Sequence, residues 1–157
     1  MTYEQLLTKL TSACAKTEHC ESDMRRKMVR WEIDEETQQR AIDFLIKERY
    51  IDHQRYARCF INDKIKYSKW GRYKVEQALY HKGITKEVYA PLLDEIEESS
   101  YEEILVPLLQ AKNRSVKANS DYERRQKLIR FAMQRGFTYE QACRCLKSEE
   151  LKVKSEK

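Results

Sequence analysis

A short turn that recurs at near-constant spacing constrains this chain more than any other feature. Lys82-Gly83-Ile84-Thr85 and Arg135-Gly136-Phe137-Thr138 share one layout, and Trp31-Glu32-Ile33-Asp34 repeats it with Glu32 at the glycine position. The copies stand 51 and 53 residues apart. Glycine after a helical stretch can take the left-handed conformation that ends a helix, and Thr or Asp two residues later caps the next one. Thr138 and Gln141 also have the spacing of a capping box. Helix punctuation at such a period predicts a helical repeat.

The flanking residues keep the same period. Before the turn, Met24 and Met28 correspond to Val75 and Leu79 and to Leu128 and Ala132, each pair separated by four. After the cap, Gln38, Ala41 and Ile42 correspond to Tyr89, Leu92 and Leu93 and to Ala142, Cys145 and Leu146, which makes one helical stripe. Gln38 is the polar member, and Pro91 falls inside a helix that it is expected to kink. A further apolar-periodic segment precedes each pair, at Tyr3–Lys16, Asp52–Tyr67 and Tyr101–Arg114, and Pro107 predicts a bend in the last. The chain therefore reads as all-α: three tandem three-helix repeats forming an elongated, curved helical-repeat protein. The repeats are expected over 1–51, 52–98 and 99–150, with a linker at 117–120 and a frayed tail at 151–157.

Composition narrows the function classes. Three glycines and two prolines in 157 residues disfavour β-rich and glycine-rich nucleotide folds. There is no apolar run of membrane-spanning length, and MTYEQLLTKL lacks a signal-peptide layout. Five cysteines, an odd number, argue against a closed disulfide framework and for a reducing, cytoplasmic setting. His19, His53 and His81 are scattered, and Cys14, His19 and Cys20 or Cys143 and Cys145 lack the paired spacers of zinc sites. With no phosphate loop and no nucleophile elbow, the expectation is a monomeric non-enzyme without cofactor, metal or membrane partner.

Net charge is +5, but the charge lies in blocks. Residues 53–86 carry nine bases against two acids (+7), residues 87–98 five acids and no base (−5), and residues 111–135 eight bases against two acids (+6). The stretch KIKYSKWGRYK interleaves Lys64, Lys66, Lys69, Arg72 and Lys74 with Tyr67, Trp70 and Tyr73. Basic side chains neutralise phosphates and aromatic rings stack on nucleobases, so this stretch is a candidate nucleic-acid surface, with the competing role of a solvated loop whose aromatics complete the core. Gly71, at the start of the next helix, adds a candidate anion-accepting amide cluster. Arg25, Arg26 and Arg30 in the first repeat and Arg124, Arg125 and Arg130 in the third occupy similar places, which predicts a shared binding surface. The acidic third helices are expected to face elsewhere.

Several of these residues carry a resemblance. Tyr50-Ile51-Asp52-His53-Gln54-Arg55-Tyr56-Ala57 resembles the L-I-D-D-x-R-F-A element of the RecX regulatory family, with His53 in place of Asp and Tyr56 in place of Phe. Trp70-Gly71-Arg72 followed by Lys82-Gly83-Ile84 is similar to that family's next motif, and Met24-Arg25-Arg26-Lys27-Met28 to its first-repeat element. The resemblance spans most of residues 14–146. It implies a modulator that binds the RecA recombinase and its nucleoprotein filament, inhibiting strand exchange, ATP hydrolysis and co-protease activity in DNA repair and the SOS response, with direct DNA contact as a further expectation. Arg55, Arg72 and Lys82 are the motif positions expected to be exposed, while Tyr56, Ala57 and Ile84 are expected to pack. A stand-alone helical DNA- or RNA-binding protein is the alternative.

Overall fold

In the computed structural model the backbone is described from residue 1 to 155 and the side chains to Lys147; residues 156–157, the end of the expected tail, lie outside the described residues. Nine helices and no strand occur among the described residues: α1 (Tyr3–Lys16), α2 (Glu21–Arg30), α3 (Glu35–Lys47), α4 (His53–Lys66), α5 (Arg72–His81), α6 (Lys86–Asp94), α7 (Glu98–Ser115), α8 (Asp121–Gln134) and α9 (Tyr139–Ser155). The expected first segment matches α1 residue for residue. α7 starts three residues earlier than its apolar pattern because Glu97 stands at its N-cap in extended backbone and Glu98 opens the first turn. Both prolines are accommodated inside helices, Pro91 in α6 and Pro107 in α7, and both are exposed at the helix surface.

The recurring turn is one hydrogen-bonded motif built three times. Glu32, Gly83 and Gly136 have φ of 58°, 82° and 96°. The amide of the following residue reaches back to the last helical turn in each: Ile33 to the Met28 carbonyl (3.0 Å), Ile84 to Leu79 (3.0 Å) and Phe137 to Ala132 (3.1 Å). These are the six-to-one bonds of a Schellman end, which satisfy carbonyls the helix leaves without donors. Asp34 then accepts from the Thr37 amide at 3.0 Å. Thr138 and Gln141 form the expected reciprocal box at 2.8 and 3.0 Å.

Every residue of the predicted stripes is buried, from Met24 and Met28 to Cys145 and Leu146. Gln38 is buried too, and its amide donates to the Ile33 carbonyl at 2.8 Å, so the polar position on the stripe serves the turn before it. The chain packs as two compact units. One comprises Met1–Phe60 with Leu79–Ala90, and the other Ile61–Ala78 with the chain from Pro91 onward. In the first unit, Leu6, Leu10, Met24, Met28, Ala41, Ile42, Leu45 and Ile51 form a core, with Tyr3, Trp31 and Phe44 packed on it half-buried. In the second, α7, α8 and α9 pack on one another and bury Leu105, Leu109, Leu128, Ile129 and Phe137. Burying each such side chain contributes about 1.5–3 kcal/mol. The unit boundaries cut α4, α5 and α6, so packing and sequence period divide the chain along different lines.

Candidate nucleic-acid and partner interface

The basic stretch Lys64–Lys74 spans the end of α4, a loop and the start of α5, and its path is set by the Arg135–Phe137 turn of the same unit. The Gly71 amide donates to the Arg135 carbonyl at 2.8 Å and the Tyr73 amide to the Gly136 carbonyl at 3.1 Å. In return the Arg135 guanidinium donates to the Ser68 and Lys69 carbonyls at 2.7 and 3.3 Å. A Cβ on Gly71 would lie 2.3 Å from the Gly136 carbonyl carbon, and one on Gly136 2.6 Å from the Lys74 amide nitrogen. Backbone meets backbone here, which only glycine permits. The amides of Gly71 and Tyr73 are thereby spent. The anion-accepting cluster expected at Gly71 is corrected to a packing contact.

Lys64 and Lys74 place their ammonium groups 5.0 and 4.6 Å from the centre of the Trp70 ring, and Trp70 is half-buried. A cation over an aromatic face is attracted by the ring quadrupole, and Trp70 carries two such cations. The rings left available on this loop are Tyr67 and Tyr73, 76% and 60% exposed. Lys66 and Lys69 are exposed beside them, Lys69 at φ 59°.

Of the three motif bases expected to be exposed, Arg55 is exposed and Arg72 and Lys82 are half-buried, and all three are held in internal clasps. Arg72 holds Glu76 at 2.6 Å and Asp94 at 2.7 Å, drawing on the acidic block that was expected to face elsewhere. Lys82 holds Asp23 at 2.8 Å while its carbonyl accepts from the Ser22 hydroxyl at 3.1 Å, tying α2 to the α5–α6 turn. Burial works against the Asp23 carboxylate, yet hydrogen bonds from Lys82 and Cys20 hold its pKa below the usual range. Arg55 pairs with Glu18 and donates to the Arg49 and Tyr50 carbonyls. Tyr56, Ala57 and Ile84 are buried as expected.

The repeat-equivalent arginines divide in the same way. Arg25 is held by Glu21 at 2.9 Å and by the Gln39 side chain. Arg124 donates to the Asn113 carbonyl and side chain, both at 3.0 Å, and to the Val116 carbonyl, while Lys127 reaches the Lys117 carbonyl. Together they seal the connection that reads as a linker in sequence. Arg125 is half-buried and engaged. Arg26, Arg30 and Arg130 are exposed and make no ion pair among the described residues. Each unit therefore offers its own outward cations: Arg26 and Arg30 on one, Lys66, Lys69 and Arg130 on the other.

Comparison with known proteins follows the same lines. A family model described as the second three-helix domain of RecX matches residues 52–90, and one described as the third three-helix domain matches residues 100–146. The chain belongs to the RecX family. The regulatory protein RecX of Clostridium perfringens (strain 13 / Type A) is 31% identical over 127 residues, covering 80% of this chain and 59% of that protein. That of Lactococcus lactis subsp. lactis (strain IL1403) is 30% identical over 138 residues, covering 86% and 51%. The chain thus spans between half and three-fifths of the length of these curated RecX relatives. Its fold is that of the crystal structure of RecX from Lactobacillus salivarius, with a TM-score of 0.81 at 17% identity over 95% of this chain and 97% of that one. Arg55, Lys64, Lys66, Lys69, Arg72, Lys74 and Lys82 fall within the second-domain match, and Arg124, Arg125 and Arg130 within the third. Arg25, Arg26 and Arg30 precede both.

No helix among the described residues is long and apolar enough to cross a membrane. The five cysteines carry no disulfide, and burial pushes the Cys145 thiol up to about 11. What sequence reasoning missed was the division of bases into clasps and outward cations. Its only sequence signal is an acid four residues from the base, as in Glu21 with Arg25 and Arg72 with Glu76.

Proposed function

We propose that this chain is a regulatory protein that binds the RecA recombinase and its nucleoprotein filament and inhibits its ATPase, strand-exchange and co-protease activities, in the cytoplasm, in DNA repair and the SOS response. The observation that carries the reading is the match of residues 52–90 and 100–146 to two successive RecX domains, alongside relatives that bear the name regulatory protein RecX. The outward cations support it: Arg26, Arg30, Lys66, Lys69 and Arg130 are exposed, and such charges pair with carboxylates of a protein partner or with DNA phosphates. No group on these surfaces needs to do chemistry; the effect comes from occupying and bridging the filament. Hydrolysis of ATP by RecA on single-stranded DNA is the direct assay. Added in excess, the protein should slow it, and Lys66→Glu with Lys69→Glu should relieve the inhibition. An unchanged ATPase rate would refute the reading.

A second reading, a stand-alone nucleic-acid-binding protein, is favoured by the exposed rings of Tyr67 and Tyr73 beside Lys66 and Lys69. It predicts salt-dependent DNA binding with no effect on RecA.

A further inference from the structure

Far from the basic loop in sequence, α1, α2 and their connection line an open groove of about 510 Å³ in the first unit. Thr8, Lys9, Ser12, Ala13 and Lys16 form one wall, Lys27 and Trp31 the other, and Thr17 and His19 line the connection. Three lysines and a histidine face the groove, and no acid lines it. Lys9 and Lys16 are exposed and make no ion pair among the described residues. The Lys9 ammonium lies 5.3 Å from the centre of the half-buried Trp31 ring. His19 is oriented by its Nδ1, which lies 2.9 Å from the Thr17 carbonyl and must donate to it. In a chain with 26 acidic residues, a ligand-sized groove lined by cations, hydroxyls and one aromatic is charge-selected for an anion that carries a flat ring.

We infer that this groove binds single-stranded nucleic acid, with one base against Trp31 and the adjoining phosphates along Lys9, Lys16 and Lys27. Lys9 and Lys16 stand seven residues apart on α1, which puts them about 10 Å apart along the helix. Cations spread over that length match a run of backbone phosphates rather than the clustered charge of a free nucleotide. An acidic peptide would want apolar pockets for alternate side chains, and the lining offers only Ala13 and the Trp31 face. Lys9 is the adjustable member: over Trp31 without ligand, it swings to a phosphate when a base takes its place. The inference goes beyond the recombinase reading and needs no recombinase for its test.

The experiment measures anisotropy of a fluorescent oligothymidylate with the intact protein over a range of salt. Lys9→Gln, Lys16→Gln and Lys27→Gln combined should weaken binding at least about tenfold at low salt. The slope of log K against log salt should fall in magnitude by about 2, at about 0.7 for each phosphate no longer neutralised. Thermal melting checks that the triple variant remains folded. Trp31→Phe, which keeps an aromatic against the core, should retain most of the affinity, and Trp31→Leu should lose it while folding equally well. If the lysine variant binds with unaltered affinity and slope, while Lys66→Glu with Lys69→Glu abolishes binding, the groove is not a strand site. Displacement of the oligonucleotide by a nucleoside triphosphate at equal phosphate concentration, or equal affinity of Trp31→Leu and Trp31→Phe, would equally overturn it.

Discussion

Glu32 has φ 58°, in the position that Gly83 and Gly136 hold in the other two turns. An L-residue there costs about 1 kcal/mol that glycine does not incur. Glu32→Gly is therefore expected to stabilise the protein by about 0.5–1 kcal/mol in urea unfolding, the gain being reduced by the extra freedom of the unfolded chain. A loss instead would mean that the Glu32 side chain makes an interaction worth more than the strain. Tyr101 presents the opposite case. Its hydroxyl is buried without a hydrogen-bond partner among the described residues, and burial pushes its pKa up to about 12. Tyr101→Phe removes a polar atom that has lost its water, so stability should be unchanged or higher by up to about 1 kcal/mol. A drop above that size in calorimetry would reveal a partner for the hydroxyl. At this scale the sequence was partly legible. The stripe at Gln38, Ala41 and Ile42 announced its burial, but whether Gln38 turned inward depended on the Ile33 carbonyl that receives it.

The apolar stripes hold the helices in the core, and polar clasps add contacts between particular elements. The pair between Lys82 and Asp23 fixes the α5–α6 turn against the start of α2. Because the Asp23 carboxyl titrates below its unfolded value, the pair's stabilisation is fully present above about pH 4 and is lost as pH falls through the folded pKa. Lys82→Met should cost about 1 kcal/mol at pH 7 and flatten the fall in stability below about pH 4, as followed by circular dichroism. The two proteins should converge at low pH; a constant gap would rule out this ion pair as the cause. Arg124 does comparable service for α7 and α8. Arg124→Met, which leaves the carbonyls of Asn113 and Val116 without their donor, should cost about 1–2 kcal/mol and leave nucleic-acid affinity unaltered at a temperature where the variant is folded. Helix positions were legible because periodicity and caps are local signals. The clasps were not: Asp23 and Lys82 are remote in sequence, and nothing local marks which acid a base will find.

For the molecule as a whole, the alternating +7, −5 and +6 blocks exaggerate the charge that faces outward. Arg72 neutralises Asp94, and Arg144 pairs with Glu98 at 2.8 Å and Glu102 at 2.6 Å, so part of the acidic run is consumed inside its own unit. The consequence for mutagenesis is specific. Lys66→Glu with Lys69→Glu should weaken polyanion binding and its salt dependence with little change in melting temperature, since both are exposed. Arg72→Glu faces Glu76 and Asp94 with a third carboxylate, and should lower the melting temperature by several degrees. Equal melting losses from both changes would contradict the division into clasps and outward cations. The repeat architecture was legible from three turns and their stripes. The candidate interface was legible only as a set of bases, because sequence carries charge but not whether a neighbour has already cancelled it.

The contact between Gly71 and Gly136 has a consequence for how the chain tolerates change. Each glycine is required by the other's backbone, so the two positions do not vary independently. Alanine at Gly71 must force the loop off the turn, and once the two are apart a second alanine at Gly136 meets no Lys74 backbone and adds only the strain of its positive φ. The double variant should therefore be less destabilised than the sum of the singles by more than about 1 kcal/mol. For anyone transplanting the basic loop onto another scaffold, the portable piece is not the loop alone. It is the loop together with the turn that receives it.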